Sequence, residues 1–275
     1  MVKTIFEVKN MKNIAVVIGG SSGIGNSIIE KLLNKDYAIH QISRHHSLNP
    51  RVKNHICDVI NDENLKKIIN EIGKEEGQID VLVYSAGCSM AIPLEYTKKN
   101  EYHYLFDVNF FGIVESIKSV LPIMKSKKKG RIIIISSLGS NIPIAYDTFY
   151  SSSKAAVDSL VFNANLECNK DNVFITSVLP GGTRTSFTYK RKINNSHAGE
   201  YQNLVSAVKS LEKMEQKGMR PEKVAKVVVR QIQKNKPKIL VVVGIKNKIY
   251  YLVSRIIPKK WLFKIVKKTY QLGEI

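Results

Sequence analysis

Tyr150 and Lys154, in the string "YSSSK", stand four residues apart with only serines between them. On a helix, side chains at i and i+4 share a face, so a phenol and an ammonium would project into one site. A free phenol has a pKa near 10, so only about one in a thousand is ionised at neutral pH. An ammonium about 4 Å away, at an effective dielectric of ~20, contributes roughly 4 kcal/mol of Coulomb energy. The spacing therefore predicts a phenol drawn down toward the working range of an acid/base catalyst, even after desolvation losses. The small serines would let a ligand lie close to the helix. Such pairs also arise by chance on amphipathic helices, so the surrounding motifs decide their weight.

A second chemical string, "GGSSGIG" at residues 19–25, follows a run of β-branched residues and opens a helical pattern. Gly19 permits a sharp turn, and Gly23 and Gly25 let a pyrophosphate and the helix pack against bare backbone. The helix N-terminus adds free N–H donors and partial positive charge, so Gly19, Ser21, Ser22, Gly23, Ile24 and Gly25 are candidate cofactor-binding residues. An acidic residue roughly twenty positions on would hold the ribose of NAD. Here Ser43 is followed by Arg44, whose guanidinium suits a 2′-phosphate, so the expected cofactor is NADP(H).

These groups require a scaffold, and the chain supplies one. Apolar runs at 14–20, 37–43, 79–87, 131–137, 173–182 and 238–244 alternate with helical stretches at 26–36, 63–77 and 100–125, after Tyr150, and from Pro221. Continuous Val/Ile runs are buried on both faces, as in a parallel sheet covered by helices. The expected fold is α/β, a Rossmann-type doubly wound parallel sheet with helices on both faces, in a single domain. Residues 1–10 read as an N-terminal extension, 11–244 as the domain and 245–275 as a C-terminal basic amphipathic extension.

The glycine loop, "SAG" at 85–87, "VNFFG" at 108–112, "ISS" at 135–137, "YSSSK" and "LPGG" at 179–182 occur in order. Together they resemble the short-chain dehydrogenase/reductase family in its Y-x-x-x-K form, over roughly residues 11–244. The resemblance implies a catalytic tetrad of Asn109, Ser137, Tyr150 and Lys154, with Asn109, Tyr150 and Lys154 also meeting the cofactor. It implies that Tyr150 exchanges a proton with a carbonyl or alcohol oxygen and that Ser137 hydrogen-bonds the same oxygen. Lys154 would hold the nicotinamide ribose, and Asn109 would anchor a water for proton relay. It places Asp58 and Val59 at the adenine, Ala86 and Gly87 at the adenosine ribose, and Pro180, Gly181, Thr183 and Thr185 around the nicotinamide and pyrophosphate. Two positions depart from the family pattern: Ile18 stands where Thr is frequent, and "YSAG" replaces "NNAG", which puts the rigidity of the cofactor loop in question.

Composition narrows the partners. Lys and Arg total 43 against 23 Asp and Glu, a formal charge of +20. Without a groove-reading motif or stacking platform, this charge implies no specific nucleic-acid binding. Cys57, Cys88 and Cys168 read as reduced thiols, and no metal site is expected. The absence of an apolar leader or span suggests a cytoplasmic protein. From Lys223 to Gly273 no acidic residue occurs. Two amphipathic pieces flank Pro258; the second sets Trp261, Leu262, Ile265 and Val266 on one face and Lys260, Lys264, Lys267 and Lys268 opposite. This tail reads as a lid, a packing arm or a contact with an anionic membrane surface. The expected function is ketone–alcohol interconversion on an apolar, lipid-like substrate (steroid, retinoid or acyl). The alternatives are a 3-oxoacyl carrier-protein reductase and a non-catalytic NADP-sensing module. A homodimer or homotetramer through the helices near 100–125 and 151–168 is implied by the resemblance.

Overall fold

Five consecutive apolar residues, Ile14–Ile18, are buried without exception and form β1, an interior strand of a parallel sheet. The computed structural model describes residues 12–194 and 199–272, so the extension expected over 1–10 lies outside the described residues. From β1 the chain runs through α1 (Gly23–Leu33), β2 (Ala38–Ser43), β3 (Val52–Ile56), α2 (Asp62–Glu76), β4 (Val81–Tyr84) and β5 (Met90–Ala91). It continues through α3 (Lys99–Phe106), α4 (Gly112–Ser126), β6 (Gly130–Ile135), α5 (Thr148–Cys168), β7 (Val173–Leu179) and β8 (Lys192–Ile193). The last elements are α6 (Leu204–Gln216), α7 (Pro221–Ile232), β9 (Leu240–Val242), α8 (Ile245–Ile256) and α9 (Lys259–Tyr270).

The main sheet has the order β3-β2-β1-β4-β6-β7-β9, every pair parallel. Strand periodicity explains why both faces are apolar. Val16, Ile18, Leu82, Tyr84, Ile132 and Ile134 face one core, shared with α2, α4 and α5. Ala15, Val17, Val81, Val83, Ile133 and Ile135 face the other, shared with α1 and α7. The chain turns one way from β1 to β3 and the other way from β4 to β9. The crevice between β1 and β4 is therefore the switch point, where α/β sheets bind ligands.

Three expectations change. The helix expected over 100–125 is interrupted by a π-turn at Asp107–Phe111, where one extra residue per turn swings Asn109 into the interior. β3 was not expected: "VKNHI" buries only Val52 fully, so this edge strand shows no apolar run. α6 arises in a stretch for which no helix was expected, and its face of Leu204, Ala207, Val208 and Leu211 is buried.

In the tail, α8 and α9 flank Pro258 as expected. The buried stripe of α9 is Leu262, Val266 and Tyr270, which packs on Ala207 and Leu211 of α6. Trp261 and Ile265 belong to the neighbouring stripe and stay exposed, so the four-residue apolar face expected from the sequence is split. The helix is a flap on the domain; Ile265 borders the cleft and Trp261 stays outside the seam. No helix among the described residues is long and apolar enough to cross a membrane.

Candidate active site

The turn after β1 is shaped by what surrounds it. Gly19 has φ +77°, and a Cβ there would meet Ala86 N at 2.5 Å, so the loops after β1 and β4 touch through bare backbone. A Cβ on Gly25 would lie 2.2 Å from Gly19 O, which lets α1 start directly against the turn. The N-cap Ser22 makes no side-chain cap bond and no acidic residue occupies the first turn of α1. The first N–H groups of the helix therefore face the crevice with no side chain of their own helix competing for them. Gly19, Ser21, Ser22, Gly23 and Ile24 line this crevice, as do Asp58, Val59, Ala86 and Gly87. Pro180, Gly181, Thr183 and Thr185 close it from the other side, Thr183 fixed by a 2.9 Å bond from its hydroxyl to Gly181 O. Gly25 supports the turn from beneath without lining the crevice. A glycine-lined anion cradle beside a long groove fits a dinucleotide.

Arg44, at the end of β2, reaches the same rim. Its Nη1 lies 3.7 Å from Asp58 Oδ2 and donates to Tyr104 Oη at 3.4 Å. The guanidinium is more than half exposed, so it is held in place yet free to meet an anion.

Tyr150 and Lys154 lie on one face of α5 and are 9% and 3% exposed. The Ser137 hydroxyl is the hydrogen-bond partner of the phenol and pulls its pKa down, while burial, the larger influence, pushes it above its ordinary range. Ser137 Oγ is itself fixed by Gly139 N at 3.0 Å. The Lys154 ammonium donates to Ile135 O at 3.1 Å and lies 5.8 Å from the centroid of the Tyr150 ring. Burial pushes its pKa down to about 8. The lowered phenol expected from the spacing is therefore not what these residues produce alone. The ammonium is engaged by a carbonyl, and removal of the phenol from water outweighs it.

Asn109 is fully buried and does not line the crevice. Its Oδ1 accepts from Cys88 N at 2.9 Å, and its Nδ2 donates to Cys88 O at 2.9 Å and Ser153 Oγ at 3.2 Å. Its amide thus ties the loop after β4 to α5, a positioning task. Tyr84, one of the departures noted in the sequence, donates to Val108 O at 2.6 Å and so braces the turn that carries Asn109.

Beyond Tyr150 the crevice widens into a chamber roofed by the tail. Ile249, Val253, Leu262, Ile265 and Val266 line it, and the whole cleft measures about 1590 Å³. A single small-molecule pocket is roughly 300–1,000 Å³. There is room for a second ligand beside a dinucleotide.

Several residues of this chamber escaped the sequence reading. Phe187 sets its ring 6.0 Å from that of Tyr150. Asp147 is three residues before Tyr150, and burial pushes its carboxyl up to about 7. Arg191 donates to Glu215 Oε1 at 2.6 Å, a contact between residues 24 apart that carries no local signal.

This arrangement, an anion cradle at a switch point feeding a buried tyrosine and lysine, defines a nucleotide-dependent oxidoreductase. The family model for short chain dehydrogenases matches residues 13–196, and the chain belongs to that family. A 3-ketodihydrosphingosine reductase of Bacteroides thetaiotaomicron is 30% identical over 256 residues, 90% of this chain and 93% of that one. A probable short-chain type dehydrogenase/reductase, VdlC, of Helicobacter pylori is 30% identical over 266 residues, 92% of this chain and 97% of that one. Among solved structures, "ElxO with NADP Bound" superposes with a TM-score of 0.73 at 25% identity, covering 88% of this chain and all of that one.

Proposed function

We propose that the protein is an NADP(H)-dependent reductase that converts a ketone on a long, lipid-like substrate into a secondary alcohol, and the reverse. The observation that carries this reading is the position of Tyr150, buried where the dinucleotide crevice meets the apolar chamber. When bound, the nicotinamide supplies or accepts a hydride. Tyr150 Oη gives its proton to the carbonyl oxygen in reduction and takes the alcohol proton in oxidation. Ser137 Oγ hydrogen-bonds the same oxygen and steadies the charge that develops there. Lys154 contributes positive charge beneath the phenol and a donor toward the cofactor ribose. Burial keeps the phenol protonated at neutral pH, the form that donates in reduction.

Arg44 supports NADP(H) over NAD(H), as does the NADP carried by a structural relative of the chain. The tail-roofed apolar chamber and the ketosphingosine-reducing relative support a long-chain substrate. The exposed surface of the tail suits an anionic membrane surface that would store such a substrate. Trp261 and Phe263 are exposed there, with Lys264 and Lys267 stacked on their rings at 5.6 Å and 5.7 Å. Exposed Phe162 and Leu166 on α5 support pairing with a second copy.

The test is NADPH or NADH oxidation, followed by absorbance, with long-chain, steroid and retinoid ketones. Turnover that prefers NADPH and is lost in Tyr150→Phe is expected. Tight NADPH binding with no turnover of any ketone would replace this reading with the sensing module.

A further inference from the structure

Arg191 and Glu215 form a buried ion pair in the chamber that holds Tyr150, and each keeps one polar atom unused. Arg191 Nη2 donates to Glu215 Oε1 at 2.6 Å and Arg191 Nε donates to Ser89 Oγ at 3.0 Å. Ser89 Oγ in turn donates to Asp147 Oδ2 at 2.7 Å, which fixes the guanidinium from a second side. The Arg191 side chain is 1% exposed and that of Glu215 13%. Among the described residues, Arg191 Nη1 and Glu215 Oε2 are buried with no hydrogen-bond partner. An ion pair serving stability alone would close its fork, two N–H groups on two oxygens. Here only one arm is closed, and leaving a buried donor and acceptor open is costly.

Both residues and Asp147 line the cleft that Tyr150 faces. Their charges reach the Tyr150 phenol and the Tyr270 phenol of α9, which places them at the reacting end of the chamber. The apolar wall of Ile249, Val253 and Ile265 also lines this cleft. A substrate lying along it would have one polar end and one hydrocarbon end.

The geometry points to a head-group subsite: Arg191 Nη1 and Glu215 Oε2 bind a substituent beside the reacting carbonyl that both donates and accepts hydrogen bonds, a hydroxyl or an amino alcohol. A carboxylate would satisfy Arg191 but set a like charge against Glu215 Oε2. A bare hydrocarbon would leave both atoms unpaired, and sites built on hydrogen bonds reject such analogues strongly. This inference rests on the reading of Tyr150 as proton donor to a lipid-like ketone, and it names which ketones are accepted.

The experiment measures binding and turnover separately with the full-length chain. Calorimetric titration of the NADP-loaded protein uses three probes of equal chain length: a 2-amino-1,3-diol, a hydrocarbon-chain secondary alcohol without a head group, and a fatty carboxylate. The amino diol is expected to bind at least ~10-fold more tightly than either other probe. In Glu215→Gln this preference falls about tenfold, because the amide no longer offers the charged acceptor. Should Glu215→Gln fail to fold, Arg191→Met/Glu215→Leu removes both charges together and spares the core an unpaired ion. Equal binding of the three probes, or an unchanged preference in the variants, overturns the subsite. Preferential amino diol binding without turnover of the matching ketone overturns the proposed reaction while the subsite stands. Turnover of ketones irrespective of head group does the reverse.

Discussion

The Tyr84 hydroxyl donates a 2.6 Å hydrogen bond to Val108 O, joining the end of β4 to the π-turn that carries Asn109. Tyr84 is 0% exposed, and its oxygen is where a Cβ on Gly112 would intrude, at 2.5 Å. The "YSAG" departure thus supplies its own brace. The departure puts the rigidity of this loop in question, and the bond is one contact that holds the β4 end.

Tyr84→Phe should remove this buried hydrogen bond and destabilise the protein by about 1 kcal/mol. Urea denaturation would read this as a lowered midpoint with an unchanged slope. An unchanged midpoint would mean that the bond braces nothing.

Removing the phenolic proton should act on chemistry alone. Tyr150→Phe is expected to lower kcat by roughly 10²–10⁴-fold while NADPH affinity, from fluorescence titration, stays within a few-fold. A comparable loss of NADPH affinity would turn Tyr150 into a structural residue.

Arg44 stands free enough to choose between cofactors. Arg44→Ala should weaken NADPH binding about 10–100-fold, the equivalent of one or two charge-assisted hydrogen bonds. NADH binding should hardly change, and Arg44→Lys should recover part of the loss. An equal loss for both dinucleotides would show that Arg44 only shapes the loop, through Asp58 and Tyr104.

Asp147 makes stability depend on pH in a defined direction. Burial, opposed by Ser89 and Arg191, lifts its carboxyl from 3.8 to about 7, so the folded state binds more protons than the unfolded state between those values. Stability linked to this group is therefore intact below about pH 4 and declines as pH rises toward 7. Asp147→Asn should remove the decline, gaining of order 3 kcal/mol relative to wild type on passing from pH 4 to pH 8. Unfolding midpoints of both proteins at the two pH values would measure it. A constant difference between them would place the charge of Asp147 elsewhere in the linkage.

The tail should divide its exposed surface from its buried seam. Trp261→Ala with Lys264→Glu should abolish co-sedimentation with anionic vesicles yet leave the unfolding midpoint within ~0.5 kcal/mol, because both side chains point outward. Leu262→Ala should instead cost about 2–5 kcal/mol, as it empties the seam against α6. Vesicle binding that ignores the first variant would make the exposed surface a protein contact.

What the sequence itself determined is whatever depends on neighbours along the chain. Continuous Val/Ile runs set buried parallel strands, Gly19, Gly23 and Gly25 set the cradle, and the four-residue step from Tyr150 to Lys154 set their common face on α5. β3 escaped because an edge strand is held by its ladder to β2, which needs no apolar pattern. The tertiary structure alone decided the rest. The Tyr150 pKa reverses direction because its burial is the work of distant elements, and burial governs a phenol more strongly than a lysine four residues away. The Arg191–Glu215 pair joins a loop to α6, and the outward turn of Trp261 was settled by which stripe of α9 met Ala207 and Leu211. Contacts of that kind are chosen by packing between elements, where sequence separation carries no information about distance.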